Sequence, residues 1–261
     1  MTSWHHLGTL RAPPSHVKDT LRQNQERLAE RIAEASRAAD RSASDLCVVA
    51  ITKYVQPETA LALASLGQRD LGENRPASLE AKADAFRAAG ESVRWHFVGH
   101  LQRNKARRVV KVADVIHSID TTQLIRTLDR IASEEDREIQ IFLEVRLTEE
   151  ETKHGFMEHE LPDALAALAQ APRLEPLGIM GMSPAGGTRD AAAAAFARLR
   201  ELADELEAKP EFRALFRGGR VRTSMGMSGD FPQAISAGSD YLRIGTSFFE
   251  GLSKEPGEVS A

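Results

Sequence analysis

Residues 46–55 read LCVVAITKYV, a short run rich in β-branched residues and apolar at nearly every position until it reaches Lys53. A run without polar alternation suits a strand buried on both faces, as in a parallel sheet. Upstream of it, Val17, Leu21, Leu28 and Ile32 recur at helical spacing among charges, which predicts an amphipathic helix from Ser15 to about Ala39. Downstream, seven further strand candidates follow: RDLGEN (69–74), VRWHFVGHL (93–101), DVIHSID (114–120), EIQIFLEVRL (138–147), LEPLGIMGM (174–182), RVRTSMGM (220–227) and DYLRIGTSFF (240–249). Helical stretches fill the gaps, among them PETALALASLG (57–67), TTQLIRTLDRIASEE (121–135) and TRDAAAAAFARLRELADELEA (188–208).

Strict strand–helix alternation implies a parallel sheet. Eight such units in 261 residues suit a single (β/α)8 TIM barrel, preceded here by one extra helix. An open doubly wound sheet is the alternative, but no G-x-G-x-x-G follows the first strand. Residues 1–14 are expected to form a flexible arm, 15–252 the barrel, and 253–261 a flexible tail.

Composition narrows the function. Apolar types make up 42% and charged types 28%, so the chain can fold around a sizeable core. A net charge of −4 excludes a basic sheath for nucleic acid. No apolar run approaches the ~20 residues of a membrane span, and the N-terminus lacks a secretory pattern. The single cysteine, Cys47, fits core packing in a reducing compartment, and the expected location is cytoplasmic. Only eight of the 34 basic residues are lysines, so a chemistry that needs a primary amine has few candidates.

In a TIM barrel, chemistry collects at the C-terminal ends of the strands. The first strand brings Lys53, whose stem leaves an apolar wall. Burial there would lower its pKa and free the amine for Schiff-base formation, although a lysine at a strand end can equally face solvent. The seventh and eighth strands run into Ser224-Met225-Gly226-Met227-Ser228 and Arg243-Ile244-Gly245-Thr246. Hydroxyls on Ser224 and Thr246, with Gly226 and Gly245 letting backbone N–H groups approach closely, are what a phosphate cup needs. Ser228 is placed to cap the helix DFPQAISAG. An amine across from a phosphate cup describes a site for pyridoxal 5′-phosphate (PLP), which carries an aldehyde and a phosphate.

Around these residues the sequence resembles the pyridoxal phosphate homeostasis protein family. The resemblance spans about residues 17–251 and rests on VVAITKY (48–54), LGENR (71–75), WHFVGHLQRNK (95–105), IHSID (116–120), TKHGF (152–156) and SMGMSGDFPQAISAGSDYLRIGTSFFEG (224–251). It implies a PLP-binding barrel like the N-terminal domain of alanine racemase (PLP fold type III), with Lys53 as the Schiff-base lysine. It further implies that Ser224, Arg243, Gly245 and Thr246, with Met225 and Gly226 in the same loop, hold phosphate and ring, and that Asn74 lies beside the cofactor. Arg243 would face the pyridine nitrogen, keeping it unprotonated and blunting the electron sink.

Racemisation would require a second acid/base. About a dozen residues follow the last strand, too few for an added domain. Of the two tyrosines, Tyr241 starts strand eight, and alternation would turn Tyr54 away from Lys53. The reading is therefore a PLP carrier or buffer without strong turnover, serving PLP-dependent apo-enzymes, as a monomer or weak homodimer. Two rival readings are a small PLP enzyme acting on amino acids and a Schiff-base lyase on a phosphorylated aldehyde, the latter using Glu73 as general acid. A metal set from His96, His100 and His117 lacks a carboxylate companion at ligand spacing, so no metal is expected. Five basic residues in QRNKARRVVK read as a solvated helix face or, with Lys105 foremost, a secondary anion or partner surface. Lys153 reads as exposed, or as a transient contact for excess PLP.

Overall fold

The computed structural model describes residues 14–147 and 154–252. Residues 1–13 of the expected arm at 1–14, Lys153 and the tail from 253 lie outside these residues.

Eight parallel strands close into a barrel in sequence order: β1 (Cys47–Ile51), β2 (Asp70–Glu73), β3 (Arg94–Phe97), β4 (Val115–Ile119), β5 (Ile139–Glu144), β6 (Leu174–Met180), β7 (Arg222–Ser224) and β8 (Tyr241–Ile244). Every strand candidate in the sequence contains one of them. Closure occurs where β8 pairs with β1, setting Val49 opposite Arg243 and Ala50 opposite Ile244. Around the sheet run α1 (Ser15–Ala38), α2 (Pro57–Ser65), α3 (Pro76–Ala88), α4 (Ala106–Val110), α5 (Thr122–Glu134), α6 (Leu161–Leu168), α7 (Arg189–Glu207), α8 (Pro210–Arg213) and α9 (Phe231–Ser236). The short α8 was not foreseen, because PEFR offers too few residues for a periodic pattern. Among the described residues no helix is long and apolar enough to cross a membrane.

Two apolar zones follow from the period of the strands. One face of each strand, with Ala50, Leu71, Phe97, Leu143, Leu242 and Ile244, packs against the helices. The other face, with Val49, Ile51, Val115, Phe142, Leu177 and Tyr241, fills the barrel. The alternation that separates them is the two-residue period of a β-strand.

α1 takes the place of a helix after β8. It lies between α9 and α2, burying Leu21, Leu28 and Ile32. Midway along it the buried Asn24 donates from Nδ2 to the carbonyls of Phe248 and Glu250, each at 2.9 Å. One amide thus ties the first helix to the chain leaving the last strand. Replacing it leaves two carbonyls short of a donor, at a cost of about 1–3 kcal/mol. Asn24→Leu is expected to lower unfolding stability in urea by that amount; an unchanged midpoint would show that α1 docks through its apolar stripe alone.

Candidate functional site

A cleft of about 490 Å³ opens where the C-terminal ends of the strands converge, and Lys53, Asn74, Arg243, Gly245 and Thr246 all line it. Pairing of β1 with both β2 and β8 brings these residues together from three separate sequence motifs.

Of the two placements open to Lys53, the structure shows the solvent-facing one. β1 ends at Ile51, and Val55 N–H closes a turn on the Thr52 carbonyl at 3.1 Å, just before Pro57 opens α2. Lys53 therefore sits exposed in that turn, so burial is not what would make its amine reactive. Its Nζ lies 4.7 Å from the centroid of the Tyr54 ring. Alternation does not extend past the last ladder position, and Tyr54 lines the same cleft instead of turning away. Tyr241 is buried inside the barrel against Phe142 and the ring edge of His117, away from the cleft.

Loops seven and eight supply the rest. Gly226 has φ of +93°, and a Cβ there would lie 2.5 Å from the Ala234 side chain, so only glycine fits. Its carbonyl accepts from the Arg243 N–H at 2.9 Å. Ser224 and Met225 do not line the cleft. Met225 belongs to the core between sheet and helices, and Ser224 lies buried beneath Arg243, whose Nη1 donates to its Oγ at 2.8 Å. Ser228 does not cap α9: its Oγ accepts from Ser247 N–H at 3.3 Å, linking the two loops, while Asp230 takes the N-cap position. Thr246 is exposed on the rim, beside Gly245.

Asn74 is fixed by a glycine on the neighbouring loop. A Cβ on Gly99 would lie 2.0 Å from the Asn74 carbonyl oxygen. Ser118 Oγ donates to the Gly99 carbonyl at 2.5 Å and holds that approach.

Glu73 faces away from the cleft. It is fully buried, with Oε1 accepting from Lys82 Nζ on α3 and from Thr52 Oγ1, each at 2.6 Å. It cannot serve Lys53 as a general acid from there. The histidines also separate. His96 and His117 meet inside the barrel, whereas His100 lies outside it with Nδ1 3.1 Å from Asp120 Oδ2 and the His154 ring stacked on its own at 3.6 Å. Asp120 is a carboxylate companion that spacing alone did not reveal. On α4, Arg107 pairs with Glu134 and Glu135, and Arg108 with Glu80, so much of that basic surface is already compensated. Lys105 is exposed in a short 3-10 turn ahead of it.

Sequence reasoning missed the apolar rim. Tyr54, Met182 and Met227 are 46%, 39% and 40% exposed, and all three large hydrophobic side chains exposed among the described residues surround this one cleft. Such clustering marks a ligand site more than a free surface. Two buried groups shape its field. Burial pulls the Arg243 guanidinium down to about 10, with Glu144 and Asp230 opposing. Burial, reinforced by Asp120, pushes the Glu144 carboxyl up to about 7 against the pull of Arg243. Cys47, by contrast, is pushed up to about 12 by burial and by Asp70, which makes its thiol unreactive.

The Glu144 shift has a definite sign in stability. A carboxyl whose folded pKa lies above its unfolded value contributes stability that is full below about 4.5 and is lost as pH rises through about 7. Glu144→Gln is expected to flatten the decline in unfolding free energy over that window. Above it the variant should gain roughly 2–3 kcal/mol on the native protein. Parallel pH profiles for the two proteins would contradict this.

Comparison with known proteins agrees with the geometry. Residues 23–252 match the family described as "Alanine racemase, N-terminal domain". A pyridoxal phosphate homeostasis protein of Synechocystis is 35% identical over 202 residues, covering 77% of this chain and 89% of that protein. One of Pseudomonas aeruginosa is 33% identical over 231 residues, covering 88% and 95%. The structure of PipY from Synechococcus elongatus with PLP bound superposes with a TM-score of 0.73 at 32% identity, covering 84% of this chain and 99% of that one. Shared sequence over most of its length and the closed barrel that carries it place the chain in the pyridoxal phosphate homeostasis protein family, on the fold of the alanine racemase N-terminal domain.

Proposed function

We propose that this protein serves intracellular PLP homeostasis by holding PLP in the cleft as a Schiff base on Lys53, without strong catalytic turnover. The observation that carries the reading is the meeting of Lys53, Asn74, Arg243, Gly245 and Thr246 in one cleft.

The donor set suits the ligand. An exposed amine, a buried guanidinium, a rim hydroxyl and an open glycine backbone match an aldehyde, a ring nitrogen and a phosphate in turn. At Gly245 a Cβ would meet the Ile51 carbonyl oxygen at 3.5 Å, an ordinary contact, so crowding does not demand the glycine there. Tyr54, Met182 and Met227 give an apolar margin for the ring. When bound, PLP supplies a reactive aldehyde and an electron-accepting ring. The Lys53 amine would add to the aldehyde carbon and lose water, forming one C=N bond. Thr246 and the Gly245 backbone would take the phosphate, and Asn74 would lie beside the ring. Ser224, buried and turned under Arg243, would act through that guanidinium, and Met225 and Gly226 would shape the loop without touching the ligand.

The lining supports the reading of weak turnover. Among the described lining residues the Tyr54 phenol stands on the same side as Lys53, no carboxylate or imidazole is there to move a proton, and the group that would meet the ring nitrogen, Arg243, is a cation. An arginine there disfavours protonation of that nitrogen and so limits electron withdrawal from the reacting carbon. The recipients this reading implies are PLP-dependent apo-enzymes.

Incubation with PLP, dialysis and borohydride reduction test it directly. The expected result is a yellow protein before reduction and a single pyridoxyl-modified peptide containing Lys53 after it. Lys53→Ala should lose both. Modification spread over other lysines, with Lys53 unmodified, would overturn the proposal, and amino-acid racemisation at rates typical of PLP enzymes would overturn its second half.

A further inference from the structure

The interior of the barrel is not wholly apolar. His96, His117 and Ser224 are fully buried there and Arg243 is nearly so. Together with Asp70 they form an unbroken series of contacts. Arg243 Nη1 donates to Ser224 Oγ at 2.8 Å. Ser224 Oγ lies 2.9 Å from His117 Nδ1, His117 Nε2 lies 2.9 Å from His96 Nδ1, and His96 Nε2 lies 2.9 Å from Asp70 Oδ1. Arg243 Nη2 is held separately by the Gly181 carbonyl at 3.1 Å. Phe142 stacks on the His117 ring with centroids 4.7 Å apart, closing that ring off from other polar partners.

The direction of every hydrogen bond in this series follows from its ends. A carboxylate only accepts, so His96 Nε2 must carry the proton that points to Asp70. In a neutral imidazole the other nitrogen then accepts, so His96 Nδ1 takes a hydrogen from His117 Nε2. His117 Nδ1 is left as an acceptor and takes the hydrogen of the Ser224 hydroxyl. That hydroxyl has its lone pairs facing Arg243, which only donates. Both ends demand the same polarity, and no donor meets a donor. The charge states agree with this. Burial pushes both imidazoles below their ordinary value, His117 well below. For Asp70 burial works in the opposite sense, but the hydrogen bond from His96, with the charge of Arg94, outweighs it and keeps the carboxyl below its ordinary value.

We propose that His117, His96 and Asp70 are positioning residues for the cleft, forming with Ser224 a one-way hydrogen-bond chain through the barrel that fixes the Arg243 guanidinium and points every proton away from the ligand. The chain runs from the cleft to the first residue of β2, at the opposite mouth, where Asp70 is partly exposed beside Arg69, Arg94 and Asp114. The inference rests on the proposed function only in naming the ligand that Arg243 meets. A guanidinium held by two acceptors cannot turn aside. A serine whose hydrogen is committed to His117 has none to offer toward the cleft. The interior thus supplies no proton to a ring nitrogen placed at Arg243, which is the condition a carrier needs.

Long-range ¹H–¹⁵N spectra of histidine-labelled, PLP-free protein test the chain without any ligand. Two buried imidazoles are expected, both neutral and both in the Nε2–H form. A Nδ1–H tautomer or a cationic ring for either would overturn the proposal, whatever PLP does. A second arm uses the distant end. Asp70→Leu removes the terminal acceptor, and is expected to mix the His117 tautomers and weaken PLP binding roughly tenfold, the scale of one buried unsatisfied donor. Asp70→Asn keeps an acceptor oxygen and should restore both readouts. A folded Asp70→Leu protein with unchanged tautomers and unchanged PLP affinity would also overturn the proposal. Failure of the Lys53 assignment would instead appear in the borohydride experiment while the tautomers stay as stated.

Discussion

The closing pair of the barrel, β8 against β1, is the constraint on which the site depends. Its register sets Val49 beside Arg243 and Ala50 beside Ile244. Just past that register Lys53 shares one cleft with Gly245 and Thr246, although about 190 residues of chain separate them. A closed parallel sheet delivers all its strand ends to one rim, and that rim is where loops can differ without disturbing the ladder. The same closure needs a helix over β8 and β1. α1 fills the place, and Asn24 secures it to the departing chain.

Inside the barrel, polarity is bought by complete pairing. A buried guanidinium is costly unless its donors are taken, and two of those on Arg243 are used by Ser224 and Gly181. Ser224 in turn needs an acceptor for its hydrogen, and His117 provides one. The demand passes from residue to residue until it reaches Asp70, which water can reach. Buried polar groups that are fully connected specify a unique arrangement, whereas a half-satisfied set would be worse than an apolar filling. Burial acts on Glu144 as well, pushing its carboxyl up to about 7.

The fold was legible in the sequence because its signals are local. Each strand candidate from LCVVAITKYV to DYLRIGTSFF contains a barrel strand, and the alternation with helices gave the parallel sheet. The site was legible in part. Asn74, Gly245 and Thr246 line the cleft as expected, since each follows its strand by a residue or two, and Arg243 lines it from within β8. Tyr54 lines the cleft because alternation stops at Ile51, and the same turn leaves Lys53 facing solvent, one of the two placements its strand-end position allows. Ser224 was read as a rim hydroxyl because its strand end is visible in sequence, but not the arginine lying above it. The pairing of His96 with His117 and the joining of His100 to Asp120 and His154 depend on which neighbouring strand each residue meets. The apolar rim of Tyr54, Met182 and Met227 comes from three loops, and none of them carries a periodic signal.

The central claim is that one cleft, built by the closing strands, grips one ligand at both ends. A crystal structure of the protein grown with PLP tests this most directly. The account predicts continuous density from Lys53 Nζ into the ring, the ring nitrogen facing Arg243, and the phosphate against Gly245 and Thr246. Density for the cofactor elsewhere on the barrel, with Lys53 free and the cleft filled only by water, would contradict it.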